Sequence, residues 1–207
     1  MANTRFHTDT ALADGLRELF TQLEQRLCLQ RPLNVYLAGG MAVHLYTGKR
    51  VTDDVDAEFA GRVLLPSDLV VEVANAEGST NLIYFDTHYN PMFSLLHEDY
   101  QEDAIQLPLG LTQLRVFVLT PLDLAVSKLA RFADNDQEDI QDLVRLGLTT
   151  ADAIEQRASS ALVAYVGNPA VVSCNLRDAI AQARMIEMIE QASAGKSKLA
   201  CSGGPTR

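Results

Sequence analysis

The 207-residue sequence predicts an α+β fold: a small mixed sheet in the first part of the chain, then a helical C-terminal portion. Three features predict it. Before Thr120, apolar residues recur at helical spacing in some stretches and as short or alternating runs in others. After Thr120, the chain reads as one capped helix after another. Between residues 37 and 59, LAGGMAVHLYTGKRVTDDVDAEF sets a strand end, a glycine corner, a short helix and an acidic strand in that order.

Each element has its own signal. Leu12, Leu16, Leu19, Phe20, Leu23 and Leu27 mark an amphipathic helix over 9–28, and Pro32 lies beyond its end. LNVYLA (33–38) reads as a short buried strand. Gly39 and Gly40 break it, and MAVHLYT forms a short helix before Gly48. DDVDAEF (53–59) alternates polar and apolar residues, as a half-buried strand does. Ser67 is expected to cap a helix reaching Ala74, and strands are expected at 82–87 and 114–119. Residues 91–110 have no assignable pattern. Thr120-Pro121-Leu122-Asp123 combines a cap, a proline at the first helical position and an acid, which predicts a helix to Phe132. A second helix starts at Asn135 or Asp136 and ends before Gly147, and Thr149 with Asp152 opens a third. Helix is expected to continue over 159–166, with a turn at Gly167-Asn168-Pro169. A last helix is expected from Asn175 to Gln191, then a disordered tail from Ser193. The expected organisation is therefore 1–119, 120–192 and a tail of 193–207.

The totals exclude several classes. An apolar share of 47% is ordinary for a globular protein. No apolar run is long enough for a membrane span, and the N-terminus has no signal-peptide core, so a cytoplasmic protein is expected. Cys28, Cys174 and Cys201 form neither a zinc pattern nor a disulfide framework. The net charge of −10 argues against broad, non-specific nucleic-acid binding, though not against a small local basic site.

The chemistry-bearing stretch is 37–59. Residues i and i+2 of a strand share a face, so Asp54 and Asp56 point the same way with Cα atoms roughly 7 Å apart. Two like charges so placed call for a cation between them. Hard oxygen ligands suit Mg²⁺, which takes one or two carboxylates and completes its shell with water and phosphate. Arg50 and Thr52 share that parity and line the approach if the strand extends back to them. Gly39-Gly40 at a strand-to-helix turn lets a ligand approach the backbone, and the helix start favours a phosphate. Taken singly, the glycines read as a turn and the aspartates as a solvated strand face. Their joint order favours a triphosphate held at the corner and a metal at the aspartates. His44 reads as a packed histidine, and His88 and His97 as loop residues.

Together these residues resemble the signature of the nucleotidyltransferase superfamily with the polymerase-beta-like fold: two small residues, a gap, then Asp-x-Asp. TPLDLAVSKLARFADNDQEDIQDLVRLGL (120–148) resembles the second half of its minimal toxin-type branch, related to abortive-infection toxins. The likeness covers about residues 33–148.

The resemblance implies a small mixed-sheet nucleotidyltransferase core that moves a nucleotidyl group from a nucleoside triphosphate to an acceptor. The acceptor would be RNA, such as a transfer RNA 3′ end, or a protein hydroxyl. A toxin-antitoxin setting with an antitoxin partner follows from the same likeness. Asp54 and Asp56 would hold the Mg²⁺, Gly39 and Gly40 the triphosphate. Lys128 would contact phosphate or base, and Asp136 or Asp139 the lysine or the acceptor. Lys128 and Arg131 lie off the packed stripe of Leu122, Ala125, Val126 and Leu129 and can face a cleft. The superfamily's third carboxylate has three candidates, Asp86, Asp99 and Asp103. A reading of another class is a non-catalytic module that binds a nucleotide or a regulatory partner.

Overall fold

A computed structural model describes residues 6–74 and 80–201, with side chains as far as Ser193 at the C-terminal end. Two sheets carry the first part of the chain. One has four strands: β1 (Leu33–Leu37), β3 (Ala57–Phe59), β6 (Ile105–Gln106) and β7 (Leu114–Val118), in the order β3-β1-β7-β6. Strands β1 and β7 are parallel, and β3 and β6 pair antiparallel at either side. The other sheet has β2 (Asp54–Val55), β4 (Val70–Ala74) and β5 (Thr80–Phe85), in the order β2-β5-β4.

The expected strand over 53–59 is therefore two short strands. The chain leaves one sheet at Val55 and enters the other at Ala57, with Asp56 at the junction. Strand β2 runs parallel to β5, with Asp54 beside Tyr84 and Val55 beside Phe85. One further step of that register brings Asp56 beside Asp86, whose N–H donates to the Val55 carbonyl at 3.1 Å.

Helix α1 (Ala11–Leu27) starts on a Thr10 cap and buries Leu16, Leu19, Phe20 and Leu23, the stripe the sequence predicts. Helix α2 (Gly39–Thr47) is buried on nearly all sides, and the Tyr46 hydroxyl donates to the Leu119 carbonyl at 3.0 Å. His44 is packed, as expected. Its Nδ1–H donates to the Arg50 carbonyl at 2.7 Å, and its Nε2 accepts from Thr10 at 2.8 Å. Burial lowers the His44 pKa, which keeps the ring neutral in this arrangement.

Several expectations are corrected. Residues 70–74 are a strand, not a helix capped by Ser67. Val70, Val71 and Val73 are β-branched, and burial alternates along the segment, so a pleated surface suits it better than a helix. Strand β5 starts at Thr80 and ends at Phe85, and the unassigned 91–110 holds a 3₁₀ turn (Pro91–Phe93), helix α3 (Tyr100–Asp103) and β6.

Helix α4 (Pro121–Ser127) has the Thr120 cap, which accepts from Asp123 N–H at 3.0 Å, but it stops short of Phe132. A tight turn follows, and Phe132 is left-handed at φ 55°, which no helix accommodates. Helices α5 (Asp134–Arg145) and α6 (Ala151–Ala161) follow, the latter capped by Thr150 rather than Thr149 and ending before the expected 166. Helix α7 begins at Pro169, earlier than Asn175, and continues to Cys201, through part of the tail expected to be disordered. Residues 202–207 of that tail lie outside the described residues.

One hydrophobic core runs from Ala13 in α1 to Ala183 in α7, so the strand-bearing and helical portions share an interior. Among the described residues no helix is long and apolar enough to cross a membrane.

Candidate active site

The site begins at the end of β1. Gly39 opens α2 at φ 60°, a conformation that favours glycine. A side chain there is excluded a second time: a Cβ would lie 1.7 Å from Asp56 Oδ2. The Ala38 N–H donates to the Asp56 carbonyl at 2.9 Å, which fixes the glycine corner against the acid. Gly40 plays the same spacing role toward Thr52, whose Oγ1 would meet its Cβ at 2.9 Å. No side chain caps α2, so its first N–H groups remain for a ligand.

A cavity of about 270 Å³ opens at this corner. Ala38, Gly39 and Asp56 form one part of it, and Asp86, His88, Tyr89 and Asn90, with Phe93 and Ser94, contribute a second. The end of α4, the turn after it and the start of α5 contribute the third: Ser127, Lys128, Ala130, Arg131 and Asp136. The early end of α4 matters here, because it is the turn that brings both Lys128 and Arg131 to the cavity.

Electrostatics single out Asp56. Burial first, then the charges of Asp54 and Asp86, push its carboxyl up to about 6, against the opposing pull of Lys128 and Arg131. Asp54 itself does not line the cavity. Its Oδ1 accepts from the Thr52 hydroxyl, and its charge is felt through Asp56.

The cationic side is a chain of ion pairs. Lys128, only 7% exposed, has its Nζ 2.7 Å from Asp139 and 3.5 Å from Asp136. Arg131 grips Asp136 with two hydrogen bonds, at 2.7 and 2.9 Å, and Asp136 reaches back to the Ala133 N–H at 3.1 Å. Burial alone would raise the Asp136 carboxyl; Arg131 and Lys128 together hold it below its ordinary value. Arg50 does not line the cavity. Its Nε lies 3.2 Å from Asp139 Oδ1, so it closes the chain of charges from behind.

Of the residues read from the sequence, Gly39, Asp56, Lys128 and Asp136 come to one cavity. Gly40, Arg50, Thr52, Asp54 and Asp139 do not line it; Asp139 pairs with the lining Lys128, and Arg50 reaches it only through Asp139. Among the three carboxylates considered with them, Asp86 lines the cavity. Asp103 instead pairs with Arg157 at 2.7 Å, and Asp99 sits 3.6 Å from His97. His88 lines the cavity rim and His97 does not. Tyr89, Asn90, Phe93 and Ser94 were not anticipated. Their segment carried no periodic pattern; the one usable signal was Asn90 before Pro91, where the Asn90 side chain accepts from Met92 N–H at 3.0 Å.

The donor set fits a hard divalent cation. Asp56 and Asp86, with Asp54 beside them, are carboxylates whose mutual repulsion is only partly offset. Among the described residues no three His, Cys, Asp or Glu side chains already form a metal cage. Mg²⁺ needs none, since substrate phosphate and water complete its shell.

The glycine corner, the carboxylates Asp56 and Asp86 and the paired cations Lys128 and Arg131 meet at one cavity. The family model described as a nucleotidyltransferase of unknown function (DUF6036) matches residues 14–177, and the chain belongs to that family. No curated protein matches the chain. A solved structure, an antigenic nucleotidyltransferase-like protein from Paracoccidioides brasiliensis, is similar at 15% identity over 88% of this chain and 92% of that one. Its TM-score of 0.39 is too slight a likeness to bear on fold or function.

Proposed function

We propose that the protein is a Mg²⁺-dependent nucleotidyltransferase that moves a nucleotidyl group from a nucleoside triphosphate to the hydroxyl of an RNA or protein acceptor. The single observation that carries this is Asp56 pressed against the glycine corner of α2, in a cavity shared with Lys128 and Arg131. The N–H groups at the start of α2 orient the polyphosphate, and Lys128 and Arg131 supply positive charge at the same cavity. Asp56 and Asp86 would hold the ion, with Asp54 contributing charge behind them. When bound, Mg²⁺ neutralises charge that develops on the phosphoryl oxygens and eases loss of the acceptor's proton.

In the transfer, the acceptor oxygen bonds to the α-phosphorus and the bond to the β-phosphate's bridging oxygen breaks. Pyrophosphate leaves with the electron pair, and the hydroxyl proton passes to a carboxylate at the site. The toxin-type role, with an antitoxin partner, is supported by the sequence likeness over 33–148 alone.

The test is incubation with each α-labelled nucleoside triphosphate, Mg²⁺, total RNA and cell lysate, with Asp54→Ala and Asp56→Asn beside the wild type. Labelling by the wild type and at least a hundredfold less by both variants is expected. Equal labelling by all three removes the aspartates from the chemistry. Nucleotide binding with no label transfer points instead to a sensor module.

A further inference from the structure

We propose that a second cavity beside the first is the acceptor subsite, and that it takes a peptide segment with a hydroxyl residue, an apolar anchor and a Lys or Arg. The inference rests on the nucleotidyl-transfer reading and narrows its acceptor.

The cavity holds about 250 Å³ and shares Ser94 with the first one. The chain entering strand β3 links the two. Asp56 enters the first cavity and Glu58 the second, and two residues along a strand span roughly 7 Å. A hydroxyl held beside Glu58 is thus within one side chain's reach of a phosphorus held beside Asp56.

The chemistry of the lining selects the ligand. Glu58 is its one charged residue, and Lys, Arg and His are absent from the described lining. A nucleic-acid backbone needs cations along its path, and this cavity offers none. Glu58 is held ready for a cation: Tyr100 Oη donates to its Oε2 and Gln101 Nε2 to its Oε1 at 3.1 Å. Those two bonds leave lone pairs on both oxygens for an ammonium or guanidinium.

The rest is apolar. Met92 and Val166 line the cavity while 61% and 73% exposed, and Phe93 beside them is 78% exposed. Apolar side chains left open at a cavity mouth suit an apolar anchor. Glu98, Asp99 and Glu102, exposed around Tyr100, extend the negative field over the approach.

The test uses a pool of synthetic peptides, each a serine, threonine or tyrosine among random residues with two lysines. A matched pool carries two glutamates instead, and purified transfer RNA is the third acceptor. Each is incubated with the full-length protein, α-labelled nucleoside triphosphate and Mg²⁺. The lysine pool is expected to label at least tenfold faster than the glutamate pool, with transfer RNA at background. Glu58→Gln, whose amide oxygen can still accept from Gln101 and whose NH2 can donate to the Tyr100 hydroxyl oxygen, should raise KM for the lysine pool about tenfold while leaving KM for the nucleotide within twofold. Met92→Glu, at an exposed position where folding is not at stake, should also raise the peptide KM.

Transfer RNA labelled in preference to both pools overturns the proposal and leaves nucleotidyl transfer standing. Equal labelling of the two pools, or a Glu58→Gln effect confined to nucleotide KM, overturns it as well. No labelling of any acceptor, with no nucleotide binding, sinks the underlying reading and the proposal with it.

Discussion

Asp56 is the residue at which structure and chemistry meet. Its carboxyl is displaced from an ordinary 3.8 to about 6 by burial and by Asp54 and Asp86. Because the folded value is the higher one, the native state binds more protons than the unfolded chain between about pH 4 and pH 6. Stability contributed by the protonated form is therefore lost as pH rises through that window. The ionised group costs on the order of 3 kcal/mol at neutral pH without metal. Asp56→Asn should accordingly be more stable than wild type at pH 7.5 in EDTA, and the difference should shrink at pH 4.5. Urea midpoints at the two pH values measure this, and an advantage that does not depend on pH would contradict the assignment. Lys128 carries the opposite lesson. The sequence sets it off the packed stripe of its helix, where it can face a cleft. It is buried between Asp136 and Asp139, so its removal would strand acids in the interior as well as disturb the site.

At the scale of elements, the decisive pieces are the β1–α2 corner, the β2–β3 junction and the α4–α5 turn. The corner was legible because Gly-Gly after an apolar run has few other uses. Gly39→Ala should destabilise the protein by about 2–4 kcal/mol, from a left-handed backbone plus a clash with Asp56. Gly110→Ala is the control, with φ 77° but nothing within 4 Å of the added carbon, and should cost about 1–2 kcal/mol. Thermal denaturation of both variants checks the comparison; equal losses would show that the approach to Asp56 is not tight. The β2–β3 junction was read as one strand, because alternation carries no mark of where a chain changes sheets. The α4–α5 turn was read as helix for a related reason. Leu122, Ala125, Val126 and Leu129 keep a helical stripe past the point where Phe132 turns left-handed. At residues 70–74 the period-2 placing of Val71 and Val73 outweighs the capping signal of Ser67, and the segment is a strand.

For the molecule as a whole, a shared core makes the strand-bearing and helical portions one cooperative unit, and the cavity draws its walls from both. A nucleotide bound there should therefore stabilise the entire chain. At a hundredfold excess over Kd, linkage supplies about 2.7 kcal/mol, which for a chain of this size is roughly 5–10 °C in Tm. A single transition should shift upward with one or more Mg²⁺–nucleoside triphosphates, and EDTA should reverse the shift. No shift with any of the four would remove the nucleotide from this cavity.

From the family resemblance came the association of Lys128 with Asp136 or Asp139; from the sequence's own spacing came the α+β class, the glycine corner and the Asp-x-Asp pair. The latter follow from spacing over a few residues, where backbone geometry dictates which side chains share a face. Only the folded chain decided that Asp86, rather than Asp99 or Asp103, joins Asp56, because that choice depends on the parallel pairing of β2 with β5. The burial of Lys128 and the second cavity beside Glu58 were likewise settled by segments far apart in the chain. Local pattern is blind to them because burial and strand register are set by long-range partners.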